Sequence, residues 1–148
     1  MKRWRRPRRS ERLVSRTIQL RIVSPERVLL EVEVVSVRFP GADGAFGVLP
    51  RHAAMVSLTE PGLLRARTVA GEEVEFLVHD GFAEVRGDRL TVLTRSAERP
   101  EEVDLERARR AAERARARLR NDRARVDLAR ASAALRRALV REKYGRRS

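Results

Sequence analysis

Residues 17–39 read TIQLRIVSPERVLLEVEVVSVRF. Ile18, Leu20 and Ile22 alternate with Gln19, Arg21 and Val23, and Ser24-Pro25-Glu26 interrupts the run before Val28, Leu29 and Leu30. Val32, Val34 and Val35 then carry it on to Phe39. A period of two sends alternate side chains to opposite faces of a strand, and β-branched residues suit such a half-buried pleat. Outward from this stretch, turn signals recur at Pro40-Gly41-Ala42-Asp43-Gly44, Leu49-Pro50, Pro61-Gly62, Ala70-Gly71, Asp80-Gly81 and Gly87-Asp88. Short strands are expected at Ala45–Val48, Met55–Leu58, Leu63–Thr68, Val74–His79, Phe82–Arg86 and Leu90–Arg95. Their spacing of about 8–12 residues, with no helix-length pattern between them, predicts an antiparallel sandwich or barrel rather than βαβ units.

The alphabet changes after Pro100. Eleven of the nineteen alanines follow it, and neither Gly nor Pro occurs between Glu101 and Tyr144. Asp104 suits a helix N-cap, with Glu106 near the positive helix end. One stripe runs Leu105, Ala108, Ala112, Ala115, Leu119, and a second runs Ala124, Leu128, Ala131, Leu135, Ala138. These are the facing seams of two packed helices. An alanine methyl buries under about 1 kcal/mol and a leucine about 2, so the seam is weak. Asn121-Asp122 is the expected turn. Neither residue forbids helix, and the same stretch run straight would reach about 60 Å. A static hairpin and an element that switches between folded and extended forms both fit this pattern.

The chain has 148 residues, 34 basic and 21 acidic, for a net charge of +13. Residues 1–16 carry +7, residues 17–100 carry −2 and residues 101–148 carry +8. Three units follow: a disordered basic arm over 1–16, a β-sandwich over 17–99 and a two-helix unit over 100–148. The arm reads as a solvated tail or as an electrostatic contact to nucleic acid or anionic lipid, with Trp4 suited to a membrane interface. No cysteine is present, which removes disulfides, thiolate metal sites and cysteine nucleophiles. His52 and His79 lack metal-pair spacing, so no metal site is expected. No phosphate-cradling Gly loop and no acid, base or nucleophile constellation is visible, so the chain reads as non-catalytic. The absence of a long apolar run or signal-like segment reads as cytosolic. A basic-tailed nucleic-acid-binding β-domain is the alternative. The lack of helical aromatics before Tyr144, and acids interleaved among the helical arginines, argue against it.

Three stretches carry a family resemblance. They are Phe39-Pro40-Gly41-Ala42-Asp43-Gly44-Ala45-Phe46-Gly47-Val48-Leu49-Pro50-Arg51-His52-Ala53, His79-Asp80-Gly81-Phe82-Ala83-Glu84-Val85, and Ala97-Glu98-Arg99 followed by Val103-Asp104-Leu105-Glu106-Arg107-Ala108. Together with Ser24-Pro25-Glu26, and in this order and spacing, they resemble the ε subunit of F-type ATP synthases over about residues 16–142. The resemblance implies a ten-stranded β-sandwich followed by a two-helix C-terminal domain. It implies a non-catalytic place on the central stalk, with the γ subunit, the c-subunit ring and the β subunit of the catalytic head as partners and no nucleic acid. The helices would brake ATP hydrolysis. The site would be the cytoplasmic face of a bacterial cell membrane, peripheral and held only through the complex.

The same resemblance assigns residues. Arg130, Arg136, Arg137 and Arg141 would dock on an acidic helical loop of the β subunit, and His52 would join the partner-docking set. Some members hold ATP between the helices through a motif of Ile or Leu, Asp, two residues, Arg and Ala. Val103-Asp104-Leu105-Glu106-Arg107-Ala108 matches it apart from Val at the first position. Glu98, Arg137 and Arg141 stand at the accompanying places. No cofactor is required on this reading; ATP enters as a regulatory ligand.

Overall fold

The computed structural model describes residues 17–121 and 125–146. The expected basic arm at 1–16, Asp122 of the expected turn and Ala124 of the second stripe lie outside the described residues. The alternation over 17–39 becomes β1 (Ile18–Val23) and β2 (Val28–Gly41), joined through the Ser24–Arg27 turn, where Ser24 N–H donates to Arg27 O at 2.9 Å. Seven further strands follow: β3 (Gly44–Val48), β4 (Met55–Thr59), β5 (Gly62–Thr68), β6 (Glu73–Val78), β7 (Gly81–Arg86), β8 (Arg89–Thr94) and β9 (Ala97–Glu98).

β2 organises the sandwich. Its first half, Val28 to Val34, pairs with β1, which leads through β8 and β7 to β4. Its second half pairs with β3 on one side and with β5 on the other, leading to β6 and β9. A register shift between Val34 and Ser36 marks the handover between layers. A bulge of this kind bends a strand and raises its twist. The described residues thus hold nine strands rather than ten, because one 14-residue strand serves both layers. The expectation of antiparallel pairing needs one further correction. β1 and β8 run parallel, Leu20 opposite Leu90 and Ile22 opposite Val92. A parallel pair needs a long connection. The strands between β1 and β8 supply it without a helix.

The core follows the inward residues of both layers. Ile18, Leu20, Ile22, Val34, Ala83, Val85, Leu90 and Val92 meet Val37, Phe39, Val48, Leu64, Ala66, Phe76 and Val78. Full burial of each Leu, Ile or Phe here contributes about 2 kcal/mol. Gly81 is required at the start of β7, because a Cβ there would fall 1.8 Å from Leu93 O. In β6 the alternation fails: Phe76, Leu77 and Val78 are all buried. Leu77 points away from the sandwich core, onto the face that the helical unit covers.

That unit begins with a 3-10 turn, η1 (Pro100–Glu102), then α1 (Leu105–Asn121) and α2 (Arg125–Tyr144). Asp104 caps α1 as expected, its Oδ1 accepting the Arg107 N–H at 3.0 Å. The two helices fold back on each other. Ala108, Ala112 and Ala115 face Ala131 and Ala138, all buried, with Leu105, Leu119, Leu128 and Leu135 half-buried along the edges. α2 also lies against β5 and β6.

Candidate functional site

The junction between α2 and the sandwich is made largely of charge. Arg136 donates to Glu60 at 3.1 Å, just after β4. Arg137 approaches Asp80, between β6 and β7, at 3.6 Å. Arg141 donates through Nε to Oε1 of Glu98 on β9. The i,i+4 spacing brings Arg137 and Arg141 to one side of α2, with Arg136 flanking them; the turns after β4 and β6 place Glu60 and Asp80 opposite them, and β9 places Glu98. Each pair is partly exposed to solvent, with side chains between a quarter and three-fifths accessible. Pairs of that kind contribute about 1 kcal/mol or less each.

Glu98 is the hub. Its Oε1 also faces Nε2 of His79 at 3.4 Å, and His79 is fully buried. The His79 carbonyl accepts from the hydroxyls of Thr59 and Thr94 at 3.2 and 3.1 Å, which fixes the histidine backbone at the strand end. Burial pushes the Glu98 carboxyl up, but hydrogen bonds and charge from His79 and Arg141 outweigh it and hold the group below its ordinary value.

The residues expected to gather around a nucleotide are only partly brought together. Glu98 and Arg141 touch. Asp104 is committed to its cap, Val103 is buried at the end of η1 and Ala108 is buried in the helix seam. Arg107 is exposed on the first turn of α1, and Arg137 is turned to Asp80. Arg130 is exposed on α2. Sequence reasoning missed Glu60 as a helix partner, read Asp80 as a turn residue and considered His79 as a metal ligand. Their roles depend on pairs separated by up to 76 residues, which no local spacing announces.

Two other surfaces stand out. The outer face of β4, β7 and β8 should be polar by alternation, yet Leu58, Phe82 and Leu93 lie side by side in register there, 55%, 50% and 46% exposed. Val23 of β1 extends the row beside Leu93, and Val56 adds to it. Val23, Pro25, Leu58, Phe82 and Leu93 border an open groove of about 570 Å³. A contiguous exposed apolar row of this kind marks a binding face. The second surface is the loop after β3. Leu49 is 63% exposed, and Arg51 takes the left-handed conformation at φ 66°. His52 donates from Nδ1 to Ala53 O at 2.8 Å while its ring meets the Phe46 ring edge-on. A non-glycine residue held in that conformation is a feature of functional loops.

Comparison with known proteins agrees with this architecture. Residues 17–100 match the family described as ATP synthase, Delta/Epsilon chain, beta-sandwich domain. Residues 101–143 match ATP synthase, Delta/Epsilon chain, long alpha-helix domain. The ATP synthase epsilon chain of Moorella thermoacetica is 44% identical over 127 residues, covering 86% of this chain and 95% of that one. That of Nitratidesulfovibrio vulgaris is 43% identical over 128 residues, with the same coverage. A chain of the Euglena gracilis mitochondrial ATP synthase shares the fold at a TM-score of 0.78 and 24% identity, covering 87% of this chain and 81% of that one. With both halves matched, and relatives above 40% identity along nearly their whole length, the chain belongs to the delta/epsilon family of ATP synthase subunits.

Proposed function

We propose that the chain is the ε-type stalk subunit of a bacterial proton-translocating ATP synthase, coupling rotation to ATP synthesis and restraining ATP hydrolysis through its helices. The observation that carries this is the α2 junction. Arg136, Arg137 and Arg141 rest on Glu60, Asp80 and Glu98 of the chain's own sandwich. Weak, partly solvated pairs exchange readily for another acidic surface. The alanine seam between α1 and α2 offers little more resistance. The sandwich is the rigid body and the helices α1 and α2 are the moving part.

The apolar row of Leu58, Phe82 and Leu93 is the face for the γ subunit, and the Leu49–His52 loop is the tip toward the c ring. The released arginines of α2, with Arg130, would meet an acidic helical surface of the β subunit. Among the described residues no helix is long and apolar enough to cross a membrane. Attachment at the cytoplasmic face of the cell membrane then comes through the complex.

Regulatory ATP fits the donor set in part. Arg137 and Arg141 can bind phosphate oxygens by charge-assisted hydrogen bonds, but only after leaving Asp80 and Glu98. Calorimetry of ATP with the isolated chain tests that element. Heat that disappears in Arg141→Ala supports it, and no heat removes it. For the function as a whole, the test is reconstitution with γ and the c ring. Stable co-assembly is expected, and its absence would overturn the assignment.

A further inference from the structure

The far end of α2 returns to the segment that leads into α1. Gly145 N–H donates to Arg141 O at 2.8 Å, and Arg146 N–H donates to Pro100 O at 2.9 Å. Pro100 is fully buried, so this bond anchors the segment after α2 to a fixed point of η1. The Arg146 guanidinium spans two elements. One nitrogen reaches Glu101 of η1 at 3.3 Å and the other pairs with Oε2 of Glu75 on β6. The second oxygen of Glu75 accepts from Arg65 at 3.0 Å, and the Glu75 side chain is only 11% exposed. Gly145 fits because it has no side chain. A Cβ there would lie 2.7 Å from Leu105 Cδ2, 2.8 Å from Val103 Cγ1 and 2.6 Å from Arg141 O.

We propose that Gly145 and Arg146 form a clasp that sets the balance between the folded and the extended helical hairpin. The proposal rests on the two-state reading of the hairpin given above. The clasp closes a loop that contains both helices, since Arg146 and Glu101 stand 45 residues apart. α2 cannot swing away from α1 while that loop is shut. Release requires the Arg146 N–H, its two ion pairs and the Gly145 contact to part together. The clasp uses none of the side chains of the three arginines that rest on Glu60, Asp80 and Glu98. It therefore regulates opening without taking part in what the opened helix docks on. Its ion pairs are solvent-accessible at Arg146, which is 55% exposed, so added salt weakens it.

The test uses the full chain, which has no native cysteine to interfere with labelling. Spin labels at Ala70→Cys on the β5–β6 turn and Ser132→Cys on α2, both exposed, report the distance between sandwich and helix. The reference chain is expected to give mainly the short distance. Arg146→Ala and Gly145→Ala are each expected to raise the long-distance population roughly three- to tenfold, the change from losing a few weak contacts. Arg146→Lys, which keeps the charge but not the two-pronged bridge, is expected to fall between. Ala112→Leu, which wedges the helix seam apart independently, separates the two claims. If Ala112→Leu opens the hairpin and neither clasp variant does, the clasp is wrong and the two-state reading stands. If none of the three opens it, both fall. Thermal melting of the sandwich in each variant confirms that the labels report on a folded body.

Discussion

Arg141 of α2 and His79 of the sandwich share one oxygen, Oε1 of Glu98. The histidine belongs to the buried strand end and the arginine to the helix. On the proposed two-state reading, Glu98 is the point at which the state of the hairpin is felt by the rigid body. A carboxylate with two such neighbours retains one partner when the helix departs, which keeps departure from stranding an unpaired half-buried charge.

The lowered carboxyl of Glu98 gives docking a pH dependence. The folded value lies below the ordinary 4.5, so the stabilisation is complete above about pH 4.5 and is lost as pH falls through the lowered value. Glu98→Gln is expected to cost about 1 kcal/mol at neutral pH and to flatten the loss that sets in below about pH 4.5. Thermal melts across that range check it. Parallel curves for variant and parent would show that Glu98 is not the titrating group.

Gly81→Ala tests the sandwich. Its Cβ would collide with Leu93 O on the neighbouring strand, and backbone cannot rotate away as a side chain can. A loss of about 3 kcal/mol is expected, at the upper end for overpacking. In a unit of this size that lowers Tm by more than about 10 °C. Gly47→Ala is the control, since nothing lies within 4 Å of its added Cβ.

The apolar row makes a separable prediction. Phe82→Asp places a charge at 50% exposure, so the isolated chain should melt within about 0.5 kcal/mol of the parent. Association with γ should weaken by about 2 kcal/mol, near thirtyfold, as for an aromatic anchor at an interface. Pull-down titration against γ reads this directly. Unchanged affinity would move the γ contact to another face.

Much of the fold was legible because it is written in local periods. The two-residue alternation at Ile18, Leu20 and Ile22 and the alanine stripe at 108, 112 and 115 are each decided within one element, and the first is buried in the sandwich core and the second in the helix seam. Asp104 was legible as a cap for the same reason. The parallel pairing of β1 with β8 was not, because register between distant strands leaves no local mark. Nor was the handover of β2 between layers, since Val28–Phe39 holds no Gly or Pro to mark where the strand passes from one layer to the other. At the candidate site, the arginines of α2 were found by type. Their partners Glu60 and Asp80 sit in turns whose own geometry already explains an acid or a Pro-Gly or Asp-Gly neighbour. The apolar row on β4, β7 and β8 was hidden inside strand patterns that were read for their buried side.

The central claim is that the same arginines hold α2 down and, once released, act as the brake. Two sets of substitutions pull that claim apart in the reconstituted complex. Glu60→Gln, Asp80→Asn and Glu98→Gln together remove only the resting partners, whereas Arg136→Ala, Arg137→Ala and Arg141→Ala remove the docking groups themselves. ATP hydrolysis is the readout. The account expects the carboxylate set to deepen inhibition several-fold and the arginine set to relieve it; rates that move in the same direction, or not at all, contradict it.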